Sequence, residues 1–340
     1  MKEARNWERL DETTVRCHLC RHECTIEDGK TGFCAVRRNE QGTLYSLVYD
    51  KIVSANVDPI EKKPLFHVAP GSKSFSIATV GCNFRCSFCQ NASISQMPRD
   101  RGQIVGDAVP PEKIAAMAAE SGCKTIAYTY TEPTIYYEIA RDTMEEAKKR
   151  DIANVFVTNG YMSRTMLDDC RGLLDAANVD LKGFNDTIYT KYCKIGKPGR
   201  EGVMDTLRYM KELGIWVEIT TLLIPTLNDD MSELKELVRF IISDLGPETP
   251  WHVSRFFPQY KERALPPTDI QALQDVWKMG TDEGLYYVYI GNVPWTQGEQ
   301  TLCPDCSTVL VNRSRYTIGE NIVRNGMCPQ CSRPADGIMM

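Results

Sequence analysis

The sequence predicts an α/β protein: a parallel sheet wrapped by helices, as an open or partial (β/α) barrel, with a small cysteine-rich module at each end. Three observations carry this. Between residues 75 and 290, short apolar runs alternate with amphipathic stretches. Six helices fit between seven strands, which suits a partial barrel slightly better than a doubly wound sheet. Eleven of the fourteen cysteines fall into three tight groups, one before this alternation, one within it and one after.

The expected strands are Phe75–Val80, Thr125–Thr129, Ala153–Thr158, Asn178–Lys182, Ile215–Leu223, Trp251–Phe256 and Tyr286–Ile290. The first helix is Pro111–Ser121, with Pro111 at the first helical position and Gly122 just past its end. Pro133 opens the second, which runs to about Arg150. Ser163 caps the third, and the fourth is Val203–Leu213, closed by Gly214. Ser232 and Thr268 read as N-caps of the fifth and sixth, with Gln271 completing a capping-box pattern. Turn-rich segments at Ala69–Ser72 and Gln297–Gly298 divide the chain into residues 1–70, 71–300 and 301–340. Chemistry in either α/β fold belongs at the carboxyl ends of the strands.

Composition narrows the function. Apolar residues make up 42% and charged residues 25%, enough for a real core. Forty Lys and Arg against forty-five Asp and Glu leave a net charge of −5, and residues 1–40 balance at eight of each sign. A sequence-blind nucleic-acid binder needs a concentrated basic face, so none is expected. The opening MKEARNWERLDETT has no apolar leader, and no run approaches the ~18–20 apolar residues of a membrane span. A cytoplasmic protein without membrane contact is expected.

The cysteine groups are Cys17, Cys20, Cys24 and Cys34; Cys82, Cys86 and Cys89; and Cys303, Cys306, Cys328 and Cys331. In a reducing compartment such spacing favours metal ligation over disulfides. The central loop, Val80-Gly-Cys-Asn-Phe-Arg-Cys-Ser-Phe-Cys89, carries C-x3-C-x2-C at the end of an expected strand. Three thiolates can hold three corners of a [4Fe–4S] cube and leave one iron open. A structural zinc with three Cys and one His is the alternative, but no His lies between His67 and His252.

This loop, with Phe88 before the last cysteine, resembles the radical S-adenosylmethionine (SAM) superfamily. The resemblance implies a partial barrel of (β/α)6 type. It also implies that the open iron chelates SAM, and that an electron from the cluster cleaves SAM to methionine and a 5′-deoxyadenosyl radical. Tyr128-Thr-Tyr-Thr131-Glu132-Pro133 stands where that family has Gly-Gly-Glu-Pro, which implies that Glu132, with Thr131 beside it, meets the SAM ammonium. A first-turn acidic residue favoured by the helix dipole is the other reading of Glu132. Thr158-Asn159-Gly160 and Asp180-Leu181-Lys182 resemble segments of glycyl-radical-enzyme activases, including the pyruvate formate-lyase activating type. There Lys182 would pair with the SAM carboxylate, and Asp180 and Asn159 would serve the cofactor or nearby water. A structural ion pair is the other reading of Asp180. Activases often carry Asp where this chain has Val157, and a His near the position of Tyr260.

Cys303-Pro-Asp-Cys306 and Cys328-Pro-Gln-Cys331 are paired knuckles that match a tetrahedral zinc site, with a rubredoxin-like iron site as runner-up. The first group, C-x2-C-x3-C-x9-C, suits zinc, an auxiliary Fe–S cluster or redox thiols, and His18 or His22 could replace a cysteine. With the Asp58–His67 segment, this combination resembles the radical SAM enzyme of the AmmeMemoRadiSam system over nearly the whole chain. That resemblance implies Memo-type and AMMECR-type proteins as candidate partners. The expected function is SAM-dependent hydrogen abstraction, using an external electron donor and acting on a protein or peptide. A small-molecule substrate and a noncatalytic metal-loaded scaffold are the rivals. Cys123, Cys170 and Cys193 are expected as buried small hydrophobes.

Overall fold

The computed structural model describes residues 1–340. Its centre is one eight-stranded sheet: β1 (Ser54–Pro59), β2 (Lys73–Ala78), β3 (Thr125–Tyr128), β4 (Ala153–Thr158), β5 (Ala176–Asp180), β6 (Trp216–Leu223), β7 (Trp251–Arg255) and β8 (Val288–Gly291). Strands β2 to β8 are parallel and lie in sequence order, and β1 joins β2 antiparallel at one edge. No pairing closes β8 onto β1, so the barrel is partial. Burial on both faces explains the near-continuous apolar runs of the strands, as in Thr125–Tyr128, all four of which are buried. β1 was not expected from the sequence; it carries Asp58 and Pro59, which an edge position tolerates.

Six helices connect the parallel strands: α1 (Pro111–Glu120), α2 (Tyr137–Lys148), α3 (Arg164–Asp169), α4 (Arg200–Glu212), α5 (Met231–Phe240) and α6 (Ile270–Asp282). Ser163 does cap α3, accepting from Met166 N. The caps of α5 and α6 differ from the expected Ser232 and Thr268. Asp230 accepts from Ser232 N and Glu233 N, and Asp269 accepts from Gln271 N. The Thr268 hydroxyl is engaged elsewhere, between Phe256 N and Leu223 O. Pro133 opens a single tight turn to Tyr136 before α2 begins. Gly214, at φ +75°, ends α4 in the left-handed conformation that glycine adopts freely. No helix is long and apolar enough to cross a membrane.

Before β1, two three-stranded antiparallel sheets pack against the barrel. They are fastened by Arg37, whose guanidinium is buried and donates to both Glu138 carboxylate oxygens at 2.8 and 3.1 Å and to Arg5 O at 2.6 Å. After β8, a three-stranded sheet carries Arg313, fully buried, which donates to Phe66 O and to Thr301 Oγ1. Glu218 of β6 is the hub beneath it. Its carboxylate accepts from Phe66 N (2.9 Å), His67 N (2.8 Å), Trp216 Nε1 (3.2 Å) and His252 Nε2 (2.7 Å). Burial works against this charge, yet the donors hold the Glu218 carboxyl below its usual range. Near residue 338 the chain returns to the same place: Ile338 N donates to His67 O, and Ala69 N donates to Ile338 O.

Candidate active site and metal centres

A cavity of about 700 Å³ opens at the carboxyl ends of the parallel strands. The loop after β2 brings Cys82, Cys86 and Cys89 to its wall, joined there by Thr131 and Glu132 after β3, Asn159 after β4, and Asp180 and Lys182 at the end of β5. All eight sequence-predicted barrel residues therefore line one space.

The cysteine loop is braced by its neighbours: Arg85 N and Ser87 N donate to Cys193 O and Tyr192 O, both at 2.9 Å. Phe84 N points at Cys82 Sγ (3.3 Å), and the Asn159 amide approaches the same sulfur at 3.8 Å. Burial pushes the Cys82 and Cys89 thiols up; for Cys86 the Cys193 thiol against it comes first and burial second. Such thiols become thiolates only with a cation beside them. Cys193 is fully buried behind the loop rather than on the cavity wall. Asn83 Nδ2, in the same loop, is buried without a protein partner.

Glu132 is completely buried and accepts four hydrogen bonds: from Thr134 N (3.1 Å), Thr134 Oγ1 (2.6 Å), Thr158 Oγ1 (2.7 Å) and Asn159 N (2.8 Å). Glu132 is the N-cap of the turn after it, one position before the expected first turn, and it also lines the cavity. Burial raises its carboxyl pKa against those donors. The Thr131 hydroxyl donates to Thr79 O at 2.9 Å. Lys182 Nζ reaches Asp180 Oδ2 at 2.6 Å. Burial disfavours that ammonium, but Asp180 and Cys86 together hold its pKa above the usual lysine value. Val157 lines the cavity, whereas Tyr260 does not: its hydroxyl donates to Asp100 at 2.9 Å.

The C-terminal knuckles converge. The sulfurs of Cys303, Cys306, Cys328 and Cys331 all lie within 4.8 Å of one another, with Cys303–Cys331 at 3.5 Å and Cys306–Cys328 at 3.7 Å. The Thr308 hydroxyl beside Cys306 brings that thiol down to about 6. The N-terminal cysteines meet less closely. Cys17, Cys20, Cys24 and Cys34 surround a cavity of about 20 Å³, but their sulfurs do not approach as the C-terminal four do. His22 lines this small cavity, and its Nε2 lies 2.7 Å from Asn83 O of the barrel loop. His18 instead meets Glu8 at 3.1 Å.

Sequence reasoning missed several residues on the main wall: Thr220 and His252 from inside the sheet, Lys63 before β2, and Arg315 and Tyr316 from the C-terminal hairpin. A His within the Trp251–Phe256 run and a Glu within Ile215–Leu223 were the available signals.

The sequence profile of the radical SAM superfamily matches residues 76–241. An uncharacterised protein of Methanocaldococcus jannaschii is 43% identical over 343 residues, covering 100% of both chains. The chain belongs to the radical SAM superfamily. A second protein of that archaeon, named for glycyl-radical enzyme activation, is 27% identical over 176 residues, which is 50% of this chain and 63% of that one. Among solved structures, Streptococcus suis SuiB bound to its precursor peptide SuiA has 15% identity and a TM-score of 0.51, covering 68% of this chain and 51% of that one. That likeness is one of fold. Superfamily members use a [4Fe–4S] cluster and SAM, and the cysteine loop present here lies inside the matched segment.

Proposed function

We propose that this chain reductively cleaves SAM at a [4Fe–4S] cluster held by Cys82, Cys86 and Cys89, and abstracts hydrogen from a protein or peptide substrate. The observation that carries the reading is that these cysteines share one cavity with Glu132, Asn159, Asp180 and Lys182. Three thiols on one loop, that of Cys86 buried and those of Cys82 and Cys89 half-buried, an unpartnered Asn83 amide nitrogen beside them and about 700 Å³ of open space fit the group. When bound, the cluster supplies the electron that cleaves SAM to methionine and a 5′-deoxyadenosyl radical. Glu132 takes the SAM ammonium and Lys182 its carboxylate, with Asn159 and Thr131 fixing the strand ends that present them. An external donor provides the electron. Similarity to a protein named for glycyl-radical enzyme activation supports the macromolecular substrate, and Memo-type and AMMECR-type proteins are the first to try.

A small-molecule substrate is the second reading, favoured by Arg315 and Tyr316, which wall the cavity from the C-terminal hairpin. In both readings residues 71–300 form the catalytic barrel and 1–70 and 301–340 are metal-holding flanks, with β1 lent to the barrel edge. The C-terminal four cysteines hold zinc. A volume of about 20 Å³ favours a single ion, again zinc, over an auxiliary cluster among the N-terminal four.

The test is anaerobic reconstitution with iron, sulfide, SAM and dithionite, adding candidate partners in turn. Deuterium passing from a labelled partner into 5′-deoxyadenosine identifies the substrate. A reduced cluster that neither responds to SAM nor yields 5′-deoxyadenosine would refute the proposal.

A further inference from the structure

We propose that His252, backed by Glu218, is the proton-transfer residue of the barrel cavity, and that the substrate carries an O–H or N–H group on or beside the carbon that loses hydrogen. This rests on the reading that the cavity holds radical chemistry on a substrate.

Glu218 and His252 sit inside adjacent strands, β6 and β7, where a buried acid and a buried base gain nothing from solvent. The His252 Nε2 to Glu218 Oε2 distance is 2.7 Å. Glu218 already accepts three other N–H groups and is held in its charged form, so Nε2 must be the donor. That fixes the tautomer and leaves a lone pair on Nδ1. No protein group pairs with Nδ1, while His252 lines the 700 Å³ cavity.

A second, independent observation points to a ligand at the same place. Thr220 is the Cα partner of His252 in the sheet and lines the same cavity. It is only 7% exposed, and its hydroxyl is buried without any protein partner. A buried hydroxyl left unpaired costs free energy unless something in the cavity satisfies it. Thr220 is also the Cα partner of Asp180, so His252 stands two strands from the proposed SAM contacts. Two strand spacings are roughly 10 Å, room for a substrate carbon between cofactor and imidazole.

His67 provides the contrast. Its Nδ1 lies 2.7 Å from Asp336 O and its Nε2 lies 2.7 Å from Tyr289 OH, so both nitrogens are spent on structure. The other groups around His252 are the Phe66 ring at 4.8 Å and the Tyr289 ring at 5.1 Å, with the Arg313 guanidinium 4.4 Å from the centre of the Phe66 ring. None of them competes for Nδ1.

The step balances without a further reagent. The substrate heteroatom–hydrogen bond breaks heterolytically, its electron pair stays on the heteroatom, and the proton forms an N–H bond at Nδ1. The dyad passes from one negative charge to an imidazolium–carboxylate pair, and the proton later returns to product or solvent. Hydrogen-atom abstraction from carbon is a separate, homolytic event. An enzyme that only removed a hydrogen atom would have no use for a base here.

The test is made on the reconstituted protein under anaerobic conditions. Diethyl pyrocarbonate followed by peptide mapping should modify His252 faster than His67 by about tenfold or more, because only His252 offers a free ring nitrogen. Nitrogen NMR of the histidine-labelled protein, with His252→Gln for assignment, should find Nε2 protonated and Nδ1 bare. Glu218→Gln, whose amide serves either tautomer, should move the Nδ1 signal toward an averaged position. A His252 as inert as His67, or protonated on Nδ1, would overturn the proposal. Neither measurement on the parent protein depends on SAM cleavage, so failure of the radical reading would be seen separately, as absent 5′-deoxyadenosine.

Discussion

Glu132 Oε2 accepts the Asn159 N–H at 2.8 Å while Oε1 takes the Thr158 hydroxyl at 2.7 Å, so the acid that follows β3 is clamped by the end of β4. Its carboxylate is held by two backbone N–H groups and two buried threonine hydroxyls, which suits the cofactor contact proposed for it.

Replacing that charge should separate cofactor binding from cluster assembly. Glu132→Gln and Lys182→Met are expected to assemble iron and sulfide like the parent. Each loses one charge-assisted contact to SAM, a cost of about 1.5–3 kcal/mol, or roughly one to two orders of magnitude in affinity. Titrating the reduced cluster with SAM, followed by electron paramagnetic resonance, reads the change. Parent-like binding in both variants would reduce the pair to a turn cap and a strand-end ion pair.

The two cysteine sets should fail independently. Ala at Cys82, Cys86 or Cys89 removes one of three cluster ligands and should abolish the barrel cluster and SAM cleavage together. Cys331→Ser should lose about one zinc per chain and leave the barrel iron in place. A point substitution is the right tool for the tail, because deleting Leu302–Met340 would also strip Arg313 from Phe66 O. Metal analysis of the purified variants decides. Zinc unchanged in Cys331→Ser would argue against the tetrahedral site.

The Arg37–Glu138 pair should matter for stability far more than a surface salt bridge. Both side chains are 2% exposed, so Arg37→Met leaves a buried carboxylate with only the Arg5 N–H as partner. A loss of about 3–5 kcal/mol is expected, partly recovered by adding Glu138→Leu. Denaturant midpoints of the metal-loaded protein measure it. A loss below about 1 kcal/mol would mean that water reaches the pair.

Acid should weaken the junction of the three modules. Burial pushes His67 down to about 4, while an unfolded histidine titrates near 6.5. Between those values the unfolded chain binds a proton that the native chain refuses, so stability falls as pH drops from about 6.5 to 4 and the effect is complete below that. The contribution is at most about 3 kcal/mol. His67→Gln should flatten that part of the stability–pH curve. An unchanged slope in the variant would assign the acid sensitivity to other groups.

What could be read from the sequence was whatever depends on near neighbours. Cys82, Cys86 and Cys89 sit on one loop, and Glu132, Asn159 and Lys182 each follow a strand whose end is visible as an apolar run giving way to polar residues. The caps at Asp230 and Asp269 were missed because equally good caps stand beside them, Ser232 two residues after the first and Thr268 one residue before the second. Nothing local chooses between them. β1 was hidden because its pairing with β2 crosses a long loop and its sequence includes Asp58 and Pro59. Arg37 and Glu138 are 101 residues apart. His252 and Thr220 needed the register: only the strand pairing puts them side by side, facing the cavity.

The joining of Ile338 to His67 and Ala69 has a consequence for how the protein is made. A chain emerging from the ribosome can form most of its parallel strands early, since consecutive strands pair with each other. Phe66 and His67 can dock on Glu218 once β6 is made, but the bonds from Ile338 to His67 and Ala69 must wait until residue 338 is out, so this end of the barrel stays unsealed for most of synthesis. Contacts this distant in sequence form slowly and leave the nascent chain exposed to misassembly. Iron delivered to Cys82, Cys86 and Cys89 during that interval would enter a barrel that is still unfinished on its far side.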